Sequence, residues 1–282
     1  MSTPPQHKVG FRAGLSWLPT GAELLAKHWR PLLGVASLWL LISLLASLVP
    51  VVGQLTLMVL TPLLTAGLLA AFDQTRAGHV EVRPGTLFAG WNPPERRLSL
   101  IVLGIVSLLG TFLAALVFVG VLTSQIEPAL LEANLEDPEA LAALLSESSL
   151  GSGLFFAILL FLLILAGLFF AVPMVMFGRL GVGAALGYSY RACFGNIGAM
   201  VGLLLALIAF GLALGFVLLL SISTLGLALG TAGQFLGQLI MVAATLFTQI
   251  VLTGAQYVAF CQVSGWTPGP DEKEAVDDNI LA

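Results

Sequence analysis

Residues 153–177, GLFFAILLFLLILAGLFFAVPMVMF, form an apolar stretch without a charged side chain. About 20 consecutive apolar residues are enough for an α-helix to cross the hydrocarbon core of a bilayer. Over the whole chain, 58% of the residues are hydrophobic and 9% are charged. A soluble domain averages roughly 25% charged residues and could not cover so much apolar surface with so few of them. The sequence therefore predicts an all-α polytopic membrane protein.

Five more stretches are long and apolar enough to span a membrane. Together with residues 153–177, they give six predicted spans, near residues 31–49, 53–72, 98–122, 153–177, 198–222 and 233–260. We therefore predict a single six-helix transmembrane domain over residues 31–260, accompanied by short interfacial helices. A cytoplasmic interfacial lead-in over residues 1–30 precedes this domain, and a polar cytoplasmic tail over residues 261–282 follows it.

The distribution of positive charge predicts the orientation of the spans. All 11 Lys and Arg residues lie in segments 1–30, 73–97 and 178–197 or in the tail. If there are six spans, these four segments share one side of the membrane, and Lys and Arg favour the cytoplasmic side. The loop at residues 123–152 lies on the other side and holds acidic residues instead, which are Glu127, Glu132, Glu136, Asp137, Glu139 and Glu147. We therefore expect both chain ends in the cytoplasm and an acidic periplasmic loop.

The acidic loop also carries signals for helix starts. Pro128 and Pro138 suit the first position of a helix, and Asp137 suits the capping position before it. Leu141, Leu144 and Leu145 would then share one apolar face. We expect two short helices that lie on the outer membrane surface, with a soluble linker as the alternative.

Two hairpins of the chain are similar in sequence. Residues 65–74, TAGLLAAFDQ, match residues 253–262, TGAQYVAFCQ, at four of ten positions. Both stretches end a pair of spans, and a basic segment precedes each pair, at residues 10–30 and 179–197. We therefore predict a weak parallel repeat that relates the first hairpin to the last. Parallel repeats occur in transporters but also in proteins that transport nothing, so the repeat informs the fold more than the function.

Three stretches carry a resemblance to a known family. They are FRAGLSWLPTGAELLAKHWRPLLG (11–34), LTPLLTAGLLAAFDQTRAGHVEVRPGTLFAGW (60–91) and AVPMVMFGRLGVGAALGYSYRACFGNIGAM (171–200). They resemble an uncharacterised family of six-span inner-membrane proteins from proteobacteria, although Tyr190 stands where that family usually has Phe. The resemblance implies a location in the cytoplasmic membrane of a Gram-negative bacterium. It implies no activity, substrate or cofactor.

Polar side chains form a line along the last span. At about 100° per residue, they fall within a sector of roughly 60° on one side of the helix. The second span carries a similar line. We call both lines together the polar seam, which consists of Gln54, Thr61, Thr65, Gln234, Gln238, Thr245, Gln249 and Gln256. Amides that face lipid would be unsatisfied, so we expect the seam to face protein or water, most economically with its two lines facing each other.

Two interpretations of the polar seam stay open at this point. Its side chains could be hydrogen-bond glue between helices, at about 0.6 kcal/mol per bond. Alternatively, they could line a hydrophilic groove or a path for lipid headgroups. No Asp, Glu, Lys, Arg or His lies inside any predicted span, whereas proton relays and ion-coupled carriers usually need one.

Arginines cluster at the predicted cytoplasmic face, where they could contact anionic lipid headgroups. The positive-inside rule alone could also account for them. These candidate contacts are Arg30, Arg76, Arg83, Arg96, Arg97, Arg179 and Arg191.

No motif for a nucleophile, a nucleotide or a metal is present, and no basic run suggests nucleic acid. We therefore predict a protein that is not an enzyme and that needs no cofactor. We expect membrane lipids, a second copy of the chain or another membrane protein as partners. The predicted role is structural, lipid-interacting or complex-forming. The alternative is a transporter or lipid-transfer channel that uses the polar seam between spans two and six.

Overall fold

The computed structural model describes residues 5–78, 82–126 and 151–268, and within these ranges every regular element is helical. The elements are α1 (Phe11–Lys27), α2 (Trp29–Ser47), α3 (Val52–Arg76), a 3₁₀-helix (Pro84–Trp91), α4 (Pro94–Gln125), α5 (Gly151–Phe169), α6 (Ala171–Met176), α7 (Val182–Gly195), α8 (Ile197–Leu229) and α9 (Thr231–Ser264). The all-α prediction is confirmed. The two short helices expected in the acidic loop, and most of the polar tail, lie outside the described residues.

Six helical stretches are long and apolar enough to cross a membrane, as the sequence predicts. They are Trp29–Ser47, Val52–Arg76, Pro94–Ser124, Phe155–Met176, Ile197–Leu229 and Thr231–Ser264. The protein is therefore a helical bundle of the multi-pass membrane type.

The fifth span is longer than the sequence suggested. Residues 223–229 were expected in the connection to the sixth span, but α8 continues through them and turns at Gly230. The hydroxyl of Thr224 donates to the carbonyl of Leu220 within the same helix, so this polar side chain is satisfied without leaving the helix. Gly230 stands between the two helices and has a φ of 56°, which glycine adopts more readily than other residues.

The fourth span is divided into α5 and α6. Pro173 has no N–H group to donate to the carbonyl of Phe169, four residues earlier, so the helix cannot continue regularly. The amide of Phe170 donates to the hydroxyl of Ser189 at 2.9 Å, and that hydroxyl donates in turn to the carbonyl of Ala166. The side chain of Ser189, from α7, therefore bridges the interrupted turn.

The element order repeats three times along the chain. Each unit has a leading helix followed by a hairpin of two spans. The leading helices are α1, the 3₁₀-helix and α7, and the hairpins are α2–α3, α4–α5/α6 and α8–α9. Each leading helix packs on the hairpin of another unit: α1 on α8 and α9, the 3₁₀-helix on α2 and α3, and α7 on α5 and α6. The packing is therefore cyclic and includes the middle hairpin, which the sequence repeat did not.

Glycines allow the leading helices to lie directly on the spans. A Cβ atom added to Gly14 of α1 would overlap the carbonyl oxygen of Ala199 in α8, and one added to Gly67 of α3 would overlap the backbone of Leu87. The backbones are therefore in contact at both places, as small residues permit in membrane bundles.

The spans meet at one end of the bundle, which we call the basic end. Helices α2, α4 and α8 begin there, and α3, α6 and α9 end there. All Lys and Arg residues within the described ranges lie at or beyond this end; Lys273 falls outside those ranges. Towards the opposite end, α8 and α9 contact mainly each other, and their remaining surface is exposed in the isolated chain.

Candidate functional site

The second spans of the three units meet around one carboxylate at the basic end. Oδ1 of Asp73 accepts hydrogen bonds from the hydroxyl of Tyr257 and from Nε1 of Trp266, each at 2.8 Å. Asp73 is half-buried, whereas Tyr257 is fully buried. A carboxylate that accepts two donors forms charge-assisted bonds, which are stronger than neutral ones. These bonds fasten the end of α3 to the end of α9.

Aromatic rings fill the space next to this carboxylate. Phe72 stacks on Tyr257 with ring centroids 6.0 Å apart, and Phe177, which follows α6, contacts Tyr257, Phe260 and Trp266 at 5.3–6.5 Å. We call Phe72, Phe177, Tyr257, Phe260 and Trp266 the aromatic base. It joins one hairpin end from each unit at the basic end.

Sequence reasoning missed Asp73. The second span was expected to end at Phe72, which placed the carboxylate in a cytoplasmic loop. The structure continues α3 to Arg76 and so brings Asp73 onto the helix, one turn before its end. The available signal was that Asp73 follows the apolar stretch without a break, but nothing local to it identifies Tyr257 and Trp266 as its partners.

The polar seam is unevenly covered. Thr65, Gln249 and Gln256 are half-buried near the basic end. The side chains further from that end are exposed in the isolated chain, namely Gln54, Thr61, Gln234, Gln238 and Thr245. Two of these exposed side chains are threonines, and their hydroxyls donate to carbonyls of their own helices, at 2.7 Å for Thr61 and 2.9 Å for Thr245. Such bonds satisfy a hydroxyl without joining two helices.

One glutamine of the seam does bridge two units. Nε2 of Gln256 donates to the carbonyl of Phe169 at 2.7 Å. This carbonyl is available because Pro173 cannot donate to it. Among the residues that the structure describes, the amides of the other seam glutamines have no hydrogen-bond partner; these are Gln54, Gln234, Gln238 and Gln249.

The two lines of the seam do not point at each other. Helix α9 contacts α3 through Gly254 and Tyr257, which meet Phe72. Both contact residues lie roughly 100° or more around α9 from Gln256. The glutamine line shares the side of Gln256 instead, and Gln256 is the member of the line that contacts the middle unit. The line on α3 shares the side of Phe72 and faces α9.

The candidate arginines differ in their surroundings. Arg30 lies over the ring of Trp29, 5.2 Å from its centroid. Nε of Arg191 donates to the carbonyl of Gly187 at 3.1 Å. Five of the seven are exposed, namely Arg30, Arg76, Arg83, Arg97 and Arg191. Two come together: Arg96 and Arg179 line the same cleft, of about 660 Å³, between the start of α4 and the turn before α7.

Helix α7 carries buried polar side chains outside the spans. Burial raises the pKa of the Cys193 thiol to about 12 and the pKa of the Tyr188 hydroxyl to about 12. Since the thiolate is the reactive form of cysteine, Cys193 is a poor nucleophile at neutral pH. Both cysteines, Cys193 and Cys261, are free and buried. Within the described part of the chain, no group of three or more His, Cys, Asp or Glu could hold a metal ion.

Comparisons with known proteins add no assignment to these features. No protein-family model, no curated protein and no solved structure matches the chain.

Proposed function

We propose that this chain is a non-enzymatic integral protein of a bacterial inner membrane that works by binding lipids or other membrane proteins. The supporting observation is the exposed part of the polar seam on α9. Gln234 and Gln238 have no hydrogen-bond partner within the described residues. In a bilayer, an amide without a partner is costly, so these side chains require polar lipid groups, water or a second protein.

A structural or lipid-binding role has more support than transport. The aromatic base joins α3 to α9 at the basic end, where Phe72 stacks on Tyr257. A transporter would need this base to separate. The uncovered glutamine line would still serve a lipid-transfer channel, which is the second candidate, because it offers hydrogen-bonding groups along one side of α9.

Native mass spectrometry of the protein extracted with its lipids and neighbours tests the proposal. We expect the wild-type chain to retain phospholipid or a partner protein, and the Gln234→Leu/Gln238→Leu variant to retain less while melting at the same temperature. Ser221→Ala is the matched control, since among the described residues the hydroxyl of Ser221 bonds only to the carbonyl of Val217 in its own helix. Equal retention by all three proteins would contradict the proposal.

The same native mass spectrometry experiment, applied to the variant Gln249→Leu, separates the two interpretations of the polar seam. Because the amide of Gln249 has no hydrogen-bond partner within the described residues, we expect the variant to stay as stable as the wild type; a loss of about 1 kcal/mol with unchanged lipid retention would support interhelical glue. If the seam binds lipid or a partner, retention falls and stability does not.

A further inference from the structure

The cleft that holds Arg96 and Arg179 combines two separate parts of the chain. One wall comes from the start of α4 and consists of Asn92, Pro93, Glu95, Arg96 and Ser99. The other comes from the end of α6 and the turn into α7 and consists of Val175, Arg179, Leu180 and Gly181. The cleft therefore forms only when the bundle is folded.

The polar groups of the cleft suit a phosphate. Arginine guanidinium groups bind phosphate oxygens through paired hydrogen bonds, and the hydroxyl of Ser99 adds a further donor. Nη1 of Arg96 donates to the carbonyl of Asn92 at 3.0 Å, and the side chain is half-buried, so its direction is restrained. Two arginines beside Glu95 leave one net positive charge, which matches the single negative charge of a phosphodiester.

The position of the cleft suits a lipid. Helix α4 begins at Pro94 and α6 ends at Met176, so the cleft lies where two spans reach the basic end, at headgroup depth. Its wall includes apolar side chains from Pro93, Val175 and Leu180. A ligand with a phosphate and an apolar portion would use both kinds of wall.

The backbone at Arg179 is also unusual. Its φ is 52°, a left-handed conformation that is uncommon for a residue other than glycine. Such conformations persist where the surrounding structure requires them, and they concentrate at binding sites. Here the conformation belongs to the turn that places Arg179 in the cleft wall.

We propose that this cleft binds the phosphodiester of a phospholipid headgroup, through Arg96, Arg179 and Ser99. The proposal rests on the proposed lipid-binding function and adds a location and a ligand chemistry to it. A soluble phosphate compound shares the same chemistry, so the test must distinguish the two sources.

Titration of the purified full chain in detergent, followed by native mass spectrometry, provides that test. The probes are phosphatidylglycerol, a glyceride of the same chain length without phosphate, and glycerol phosphate. We expect the wild type to bind phosphatidylglycerol. The Arg96→Gln/Arg179→Gln variant should bind it with an affinity lower by a factor of about ten or more. Arg12→Gln, which removes an exposed arginine away from the cleft, should bind like the wild type.

The control probes and the remaining variants each test one part of the proposal. Binding of the glyceride as tightly as phosphatidylglycerol would overturn the role of the phosphate. Competition by glycerol phosphate at equal concentration would overturn the claim that the ligand is a lipid and would indicate a soluble phosphate ligand. If the double variant does not fold, Arg96→Lys and Arg179→Lys replace it, since they keep the charge and lose the paired bonds; unchanged affinity in these variants would overturn the proposal. Unchanged affinity of the cleft variants, combined with lipid loss in the seam variants, would reject the cleft and leave the proposed function standing.

Discussion

Asp73 illustrates how a charged residue is accommodated at the end of a membrane-spanning helix. Its carboxylate accepts two hydrogen bonds at 2.8 Å, one from α9 and one from the segment that follows α9. The sequence does not reveal this arrangement, because Asp73 and Trp266 are distant along the chain and only the fold brings them together. By contrast, the line of glutamines on α9 follows from helical spacing alone. What that spacing could not predict is which neighbouring helix the line faces.

Tyr257→Phe tests the bonds to Asp73. The variant removes one donor from a half-buried carboxylate and keeps the aromatic ring, so we expect a loss of about 1.5–3 kcal/mol in unfolding free energy. The measurement is thermal or denaturant unfolding in detergent. Tyr190→Phe is the control, since within the described ranges the hydroxyl of Tyr190 makes no hydrogen bond. Equal stability of Tyr257→Phe and Tyr190→Phe would show that the bond to Asp73 contributes nothing.

At the scale of the elements, the six spans follow from length and apolarity, and their existence needed no tertiary information. The residues at which the spans begin and end depend also on local hydrogen bonds and on packing against other helices. Helix α8 extends to Leu229, and the hydroxyls of Ser221 and Thr224 near its end are satisfied by carbonyls of the same helix. Helix α5 ends early because Pro173 disrupts the turn and Ser189 of another helix compensates. The first effect could be anticipated from an uncharged segment without proline, whereas the second requires knowledge of what packs against the break.

Gly14→Ala tests the contact between α1 and α8. An added Cβ would overlap the carbonyl oxygen of Ala199, so the helices must separate and we expect a loss of roughly 1–3 kcal/mol in stability. Gly183→Ala is the control, because a Cβ there meets no atom within 4 Å and alanine favours the helix. Unfolding in detergent measures both. A Gly14→Ala variant as stable as Gly183→Ala would mean that the backbones of α1 and α8 are not in contact.

For the whole molecule, the sequence predicted a repeat of the first and last hairpins, while the structure has three units packed in a cycle. The middle unit was hard to recognise because its leading element is a short 3₁₀-helix and its second span is interrupted. A trace of it exists: Ala166, Gly167 and Leu168 repeat the Ala66, Gly67 and Leu68 of α3. Both glycines contact a leading helix, since a Cβ at Gly167 would meet the Tyr190 side chain of α7 at 2.6 Å. The repeated tripeptide thus marks the contact that repeats in the fold.

The predicted topology requires the basic end to face the cytoplasm. The proposed headgroup cleft lies at that end, and the positive-inside rule predicts that this end is cytoplasmic. Labelling of single cysteines with a membrane-impermeant maleimide in intact cells tests this directly, in a chain whose Cys193 and Cys261 are replaced by alanine. The probe sites are Thr231→Cys, exposed at the turn between α8 and α9, and Lys8→Cys, exposed beyond the basic end. We predict labelling at position 231 in intact cells and at position 8 only after the inner membrane is permeabilised; labelling at position 8 in intact cells would contradict the account.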